Sequence, residues 1–320
     1  MGGIVQILAL CLKRMATAFL TLLLVSLIVF VAVEVIPGDA ATRVAGRDAT
    51  EETLQVLRER MHLDLPPAER YLTWLGGVLT GNFGDVLTSG RSVVEILAPR
   101  VTNTLIMSGI ALAIYFPLVL IPAIVQAVRR DRAVDHTLST ITLVLLSIPD
   151  FVLATFLLLL FAVAIPIFPA MSNIDDRSTV FDIIHVSIMP AVTLAIVMAV
   201  YAVRMLREGL IDVLDADFVR MAKLKGLSQR RVLLRHALPN AVVPTLNVTA
   251  LNLAYLIGGV VVVERVFSFP GFGSLIVDSL KLLDGPLIQA TVLLAATVYI
   301  GANLAVDIMA IVLNPRLRKG

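Results

Sequence analysis

Residues 102–128 read TNTLIMSGIALAIYFPLVLIPAIVQAV, 27 positions without a charge, closed by Arg129 and Arg130. A helix needs roughly 20 apolar residues to cross the hydrocarbon of a bilayer, and this stretch exceeds that. Five more stretches qualify: Met15 to Ile36, about Leu138 to Pro166, about Ile188 to Leu206, Ala241 to Val263, and Leu287 to Leu313. The 320-residue chain is 58% hydrophobic and 16% charged, against about 25% charged in soluble domains. It reads as an all-α integral membrane protein with six transmembrane helices. The first span follows Lys13 and Arg14 but is too long for a cleaved signal, whose apolar core is about 7–15 residues; it reads as a retained anchor.

Basic residues in short loops mark the cytoplasmic side. With the N-terminus inside, the inner segments hold Lys13, Arg14, Arg129, Arg130, Arg132, eight basic residues between Arg204 and Arg235, and Arg316, Arg318 and Lys319. The two short outer loops hold Arg177, Arg265 and Lys281. Residues 37–101 carry seven Arg, but long translocated loops escape the rule. Both termini are therefore expected in the cytoplasm. Thr50, ahead of Glu51 and Glu52, suits the start of a helix in the outer segment, with Leu54, Leu57 and Met61 on one face. A second short helix is expected around Tyr71, Trp74, Leu75 and Leu79, at headgroup depth.

Chemistry is sparse. No GxxxxGK[ST], HExxH, GxSxG or paired-cysteine spacing occurs, and Cys11 stands alone, so no catalytic and no metal-ligating residue is singled out. A net charge of +2 points to no nucleic-acid partner. Ionisable groups at membrane depth are costly and suggest function by default: Asp307, with Asn303 one turn earlier, and Asp150 after the Pro149 kink. A polar clasp to another helix competes with a proton relay, and no chain of such groups is visible. Asn247, Asn252 and Tyr255 in the fifth span suit a pore lining or hydrogen bonds between helices. Phe267, Phe269, Pro270, Gly271, Phe272 and Gly273 form an aromatic turn on the outer side, fitting a gate or an interfacial belt.

The densest basic stretch, FVRMAKLKGLSQRRVLLRHALPN at 218–240, lies in the longest inner loop. Asp215 or Asp217 can cap a helix on which Phe218, Met221 and Ala222 share a face opposite Arg220 and Lys223. Gly226 suits a left-handed helix stop. Ser228 can cap a second helix, running through Leu238 until Pro239 breaks it. The expected product is a helix–Gly–helix elbow, either resting on anionic lipid or docking on a partner.

The spacing Ala222-x3-Gly226-x9-His236-x-Leu238-Pro239 resembles the loop that binding-protein-dependent ABC import permeases use to dock on their ATPases, usually written EAA-x3-G-x9-I-x-LP. Arg220, Met221 and His236 depart from that general form but are similar to the dipeptide/oligopeptide permease version. IPGDAA at 36–41, RMHLDLPPAERYLTWLGGVLTGNFG at 60–84, NTL at 103–105, SIPDF at 147–151, VVVERVFSFPGFGSLIVDSLKLLDGPLIQA at 261–290 and ANLAVDIMAIVLNPRLR at 302–318 also resemble that family; Asn314 stands where an Asp is common.

The resemblance implies a single permease domain over 1–320 with the type I ABC importer fold. Within it lie an outer segment at 37–101, a cytoplasmic coupling loop at 207–240 and an outer aromatic loop at 264–286. It implies half of a translocation pathway in a bacterial inner membrane, for short peptides delivered by a substrate-binding protein. The implied partners are a homologous second permease and two ATPase subunits (or one fused pair), which would hold ATP and Mg²⁺, with no cofactor on this chain. Asp217, Phe218, Arg220, Met221, Ala222, Lys223, Gly226, Leu238 and Pro239 would then form the coupling loop. Importers of nickel chelates, glutathione, opines or oligosaccharides share this permease type. A stand-alone secondary transporter is the alternative from another class; it predicts inverted repeats and midplane ion ligands, and neither is evident. A membrane-embedded hydrolase is a third, weakly supported by the isolated Asp150 and Asp307.

Overall fold

Apolar runs in lipid become helices because a backbone N–H there has no acceptor but its own chain. The computed structural model describes residues 2–35, 41–42, 50–60, 63–172, 174, 178–242, 245, 249 and 260–313, without the side chains of 2–11, 53, 57, 60 and 305–313. Its named helices are α1 (Gly2–Glu34), α2 (Glu51–Arg60), α3 (Pro67–Leu79), α4 (Val93–Val128), α5 (Ala133–Ser147), α6 (Asp150–Leu158), α7 (Val180–Leu214), α8 (Asp217–Leu224), α9 (Gln229–Val232), α10 (Phe272–Leu282) and α11 (Gly285–Leu313). Among the described residues the only extended pairing is an isolated bridge between Asp85 and Ser92.

Among the described residues, four helices are long and apolar enough to cross a membrane: Leu12–Glu34 of α1, then α4, α7, and Gly285–Leu304 of α11. The expected third span is broken. Ala133–Ser147 and Asp150–Ala164 pass the same test only together and meet at 106°. Ile148 and Pro149 are both extended, with ψ of 124° and 143°, because the proline ring drives the residue before it out of the helical region. Most of the expected fifth span lies outside the described residues. Helices also overrun their apolar stretches, α4 beginning at Val93 rather than Thr102 and α7 reaching from Val180 to Leu214. The start of α7 is fixed by a capping box, in which Asp182 N–H donates to Thr179 Oγ1 and Thr179 N–H to Asp182 Oδ2.

The chain divides into two compact units, residues 1–102 with 274–320, and residues 103–273. In the first, α1 and α11 run against each other, so close that a Cβ at Gly285 would lie 2.9 Å from Val33 Cγ1. The short helix α3 lies on α1 by its aromatic side: Phe30 meets Tyr71 edge-on at 5.3 Å, Trp74 sits 6.1 Å from Phe30, and Ser26 and Tyr71 share a hydrogen bond of 2.9 Å. Arg70 pairs with Glu34 at the end of α1. Asp284 opens α11, taking Leu287 N–H on one oxygen and Thr88 N–H on the other.

In the second unit, α4 contributes Met107, Ala111, Tyr115, Val119, Ala123 and Ala127, a buried stripe with a four-residue period. The helix α7 supplies Ala191, Ala195, Ala199 and Ala202 beside Leu194, Met198, Leu206 and Leu210. Small residues at this spacing let membrane helices approach closely, where packing rather than water exclusion drives association. Both α5 and α6 lie on α7.

Adjacent glycines near the end of α3 separate propensity from sterics. A Cβ at Gly76 meets nothing within 4 Å, whereas one at Gly77 would lie 2.8 Å from the Asn82 carbonyl oxygen. Thermal unfolding in detergent should show Gly76→Ala stabilised by about 0.5–1 kcal/mol from helix propensity, and Gly77→Ala destabilised by about 1–3 kcal/mol from overpacking.

Candidate functional site

The elbow forms where the residue pattern places it, and its stop is built in detail. The helix α8 ends in a paired-bond turn: Gly226 N–H reaches Lys223 O at 2.9 Å, Leu227 N–H reaches Ala222 O at 3.4 Å, and Gly226 sits at φ 77°. That is the Schellman arrangement, whose left-handed residue is glycine because a Cβ there costs about 1–2 kcal/mol. Its usual apolar contact is present, since Leu227 packs against Val219, Ala222 and Val232. Nothing lies within 4 Å of a Cβ built at Gly226; the glycine serves the backbone angle, not a close approach.

Several expectations for the loop change. Neither Asp215 nor Asp217 caps α8: the N-cap is Ala216, Asp217 is the first helical residue, and Asp215 instead pairs with Arg130 at 2.9 Å. Ser228 occupies its expected N-cap position without a side-chain cap bond. The buried face of α8 is Val219 and Ala222, whereas Phe218, Met221 and Leu224 are exposed, Leu224 at 81%. Ala222 therefore packs the two arms of the elbow together, and the outward apolar stripe is Phe218, Met221 and Leu224 at a spacing of three. Arg220 and Lys223 are exposed, with Arg220 4.0 Å from Asp217, an exposed pair of little energetic weight.

Pro239 does not end the returning helix. The turn Leu233–Ala237 widens, Leu238 N–H bonding back to Leu233 O, and residues 238–242 continue as helix. A widened turn accommodates a residue that lacks an N–H, and Asn240 Nδ2 donates to the His236 carbonyl at 2.7 Å. Leu238 packs on the main core of this unit. The two roots of the elbow touch, because a Cβ at Gly209 would lie 3.1 Å from Ala241 O.

At the aromatic turn, Phe267, Phe269 and Phe272 are buried, Phe269 completely, so these rings form no belt at an interface. The turn closes on a carboxyl group that sequence reasoning passed over. Glu264 is fully buried and takes Thr104 Oγ1–H on Oε1 at 2.6 Å. Thr104 Oγ1 accepts Phe272 N–H at 2.7 Å, and Asn103 Nδ2 donates to Pro270 O at 2.9 Å. Phe269 N–H returns to the Glu264 carbonyl at 2.8 Å. The signal was readable: an acid directly after Val260 to Val263 is costly unless it is held.

A second overlooked group is Asp135, 1% exposed and paired with Arg207. Of the depth-polar candidates, Asp150 is half-buried at the first position of α6 and Asn303 donates to its own helix at Tyr299 O, 2.9 Å. Asn247, Asn252 and Tyr255 lie outside the described residues, as does the side chain of Asp307. Among the described residues no cluster of His, Cys, Asp and Glu is arranged for a metal.

Long apolar helices and a broken span define a polytopic helical membrane protein, and its two-helix elbow carries an exposed apolar stripe. Residues 119–319 match the family described as binding-protein-dependent transport system inner membrane component, and residues 7–108 match its N-terminal companion. The chain belongs to this family of inner-membrane transport permeases. It is 34% identical over 308 residues to a glutathione transport system permease protein of Shigella flexneri, covering 96% of this chain and 97% of that one. It is 33% identical over 310 residues to a putative peptide transport system permease protein of Brucella abortus, with coverage of 97% and 99%. A probable peptide ABC transporter permease of Sinorhizobium fredii is 33% identical over 307 residues, with coverage of 96% and 98%.

A Cβ at Gly271 would collide with both carboxyl oxygens of Glu264. Gly271→Ala should cost about 1–3 kcal/mol of stability in detergent. Adding Glu264→Ala should recover part of that loss, a non-additivity of about 0.5 kcal/mol or more in the double-mutant cycle.

Proposed function

We propose that this permease forms half of the translocation pathway of an ATP-driven importer of short peptides, with its coupling loop and both termini in the cytoplasm. Its partners are a homologous second permease, two ATPase subunits that hold the nucleotide and Mg²⁺, and a substrate-binding protein on the other face. The observation that carries this reading is the elbow: a stiff two-helix protrusion showing Phe218, Met221 and Leu224 to solvent while its glycine stop is fully bonded within itself. An apolar stripe on a rigid, basic protrusion fits a groove on a separate subunit. The peptide class is supported by the names of the relatives, two of them peptide permeases and one a permease for glutathione, itself a tripeptide.

The elbow loop is assigned as the coupling site, with Phe218, Met221 and Leu224 entering the ATPase and Val219, Ala222 and Gly226 holding the elbow's shape. ATP-driven closure of the motor would displace the elbow, and nucleotide and binding-protein sites would be linked through that one element.

Leu224→Asp changes an exposed side chain and should leave membrane insertion and thermal stability unchanged. Loss of a central apolar contact costs on the order of 2 kcal/mol, so ATPase affinity should fall about 30-fold and ATP-dependent uptake of labelled trialanine with it. Gly226→Pro, barred by the positive φ, should abolish uptake with the chain still inserted. Wild-type uptake from Leu224→Asp would remove the elbow from the coupling path and return it to a lipid-resting role.

A further inference from the structure

The two helices that meet beside the elbow are tied by a buried fork. Arg207 Nε donates to Asp135 Oδ1 and Arg207 Nη2 to Asp135 Oδ2, both at 2.7 Å, between α7 and the first turn of α5. The same carboxylate takes Asp131 N–H at 3.1 Å, which holds Asp131 in a left-handed turn at φ 61°. Ser139 Oγ lies 3.5 Å from Oδ1 and donates to Gln126 Oε1 at 3.0 Å. Arg207 is 22% exposed and Asp135 1%. A bidentate guanidinium–carboxylate pair fixes orientation as well as distance, and removing one partner of a buried pair leaves the other stranded.

The position of this fork is what makes it informative. The elbow leaves α7 at Asp215, two helical turns beyond Arg207, and Asp215 is itself bonded to Arg130 in the α4–α5 turn. The turn at 129–132 is thus clamped to the end of α7 at two points. One is exposed and weak, the other buried and bidentate. At the far end of α5 lies the break at Ile148 and Pro149, where the chain turns by 106° into α6. A displacement of α7 therefore meets no free turn in which to dissipate before reaching the broken pair. Beside the fork, Gln126 is 1% exposed and its Nε2 has no partner among the described residues, so the polar network between α4 and α5 is incompletely bonded in this arrangement.

We propose that the Asp135–Arg207 fork is the joint that carries movement of the elbow into the broken pair α5–α6, with both side chains acting as positioning residues. The proposal rests on the reading of the elbow as the ATPase contact.

The test is a pair of nucleotide-dependent distances in the assembled importer, with Cys11→Ser and spin labels at exposed positions. Labels at Gln229→Cys and Phe116→Cys report the elbow against α4; labels at Phe156→Cys and Phe116→Cys report α6 against α4. In the parent, trapping with a non-hydrolysable ATP analogue should change both distances. With Arg207→Lys or Asp135→Asn, the elbow change should persist and the α6 change should fall by half or more. The exchange Asp135→Arg with Arg207→Asp should restore it. An α6 change of parental size in either assembled single variant overturns the proposal. Failure of both single variants to assemble with the ATPases also overturns it, by making the fork a folding element. A parent whose elbow distance ignores the nucleotide overturns the elbow reading, a failure visible before any fork variant is measured.

Discussion

A backbone amide inside hydrocarbon has no water to bond, and the architecture of this permease follows from where its N–H groups go. Helices satisfy them internally, so most of the described residues are helical. The strain falls where proline removes a donor. At Pro149 the chain gives up helix for two residues and restarts at 106°. Ahead of Pro166 and of Pro239 it widens instead, with Ile165 N–H reaching Leu160 O and Leu238 N–H reaching Leu233 O, each five residues back. Breaks and widened turns need neighbours to cover the freed carbonyls; the turn ahead of Pro239 finds them in the main core, whereas Leu159–Ala164 has no buried residue within this chain.

Local rules made much of this legible in the sequence. Apolar run length found the first, second, fourth and sixth spans, because a helix in lipid carries its whole signal within itself. Gly226 marked the elbow stop for the same reason: a Schellman turn is a contract among six consecutive residues. Helix ends were less visible, since α4 and α7 run on beyond the apolar stretch where hydropathy falls silent. The capping box at Thr179 was readable only after the span was extended back to it.

Long-range pairing was not legible. Arg207 counted as one more positive charge in an inner loop, yet it is spent on Asp135, 72 positions away. Nothing in one sequence separates a topology-setting arginine from a paired one. The face of α8 was misread for a related reason. Periodicity grouped Ala222 with Phe218 and Met221 on one apolar face, whereas the facing arm offers Val232 and Leu227 and accepts only the smaller Val219 and Ala222. Burial follows the shape of the partner, and the larger groups were left outside.

The small core of the elbow bears on how it must act. Val219, Ala222 and Val232 are too little apolar surface to stabilise two helices of eight and four residues, since helices this short are marginal alone. Order is therefore supplied at the roots. Leu210, Ala237 and Ala241 are fully buried in the main core, and Gly209 passes within contact distance of Ala241. The outgoing and returning chains are packed side by side, so a force on the tip cannot open the elbow like a hinge without first breaking that contact. The stiff route is for both roots to move together. One of them is α7, the helix against which α5 and α6 both lie. Rigidity at the tip is thus borrowed from the bundle, and the same packing that lends it also gives any displacement a path back into the spans.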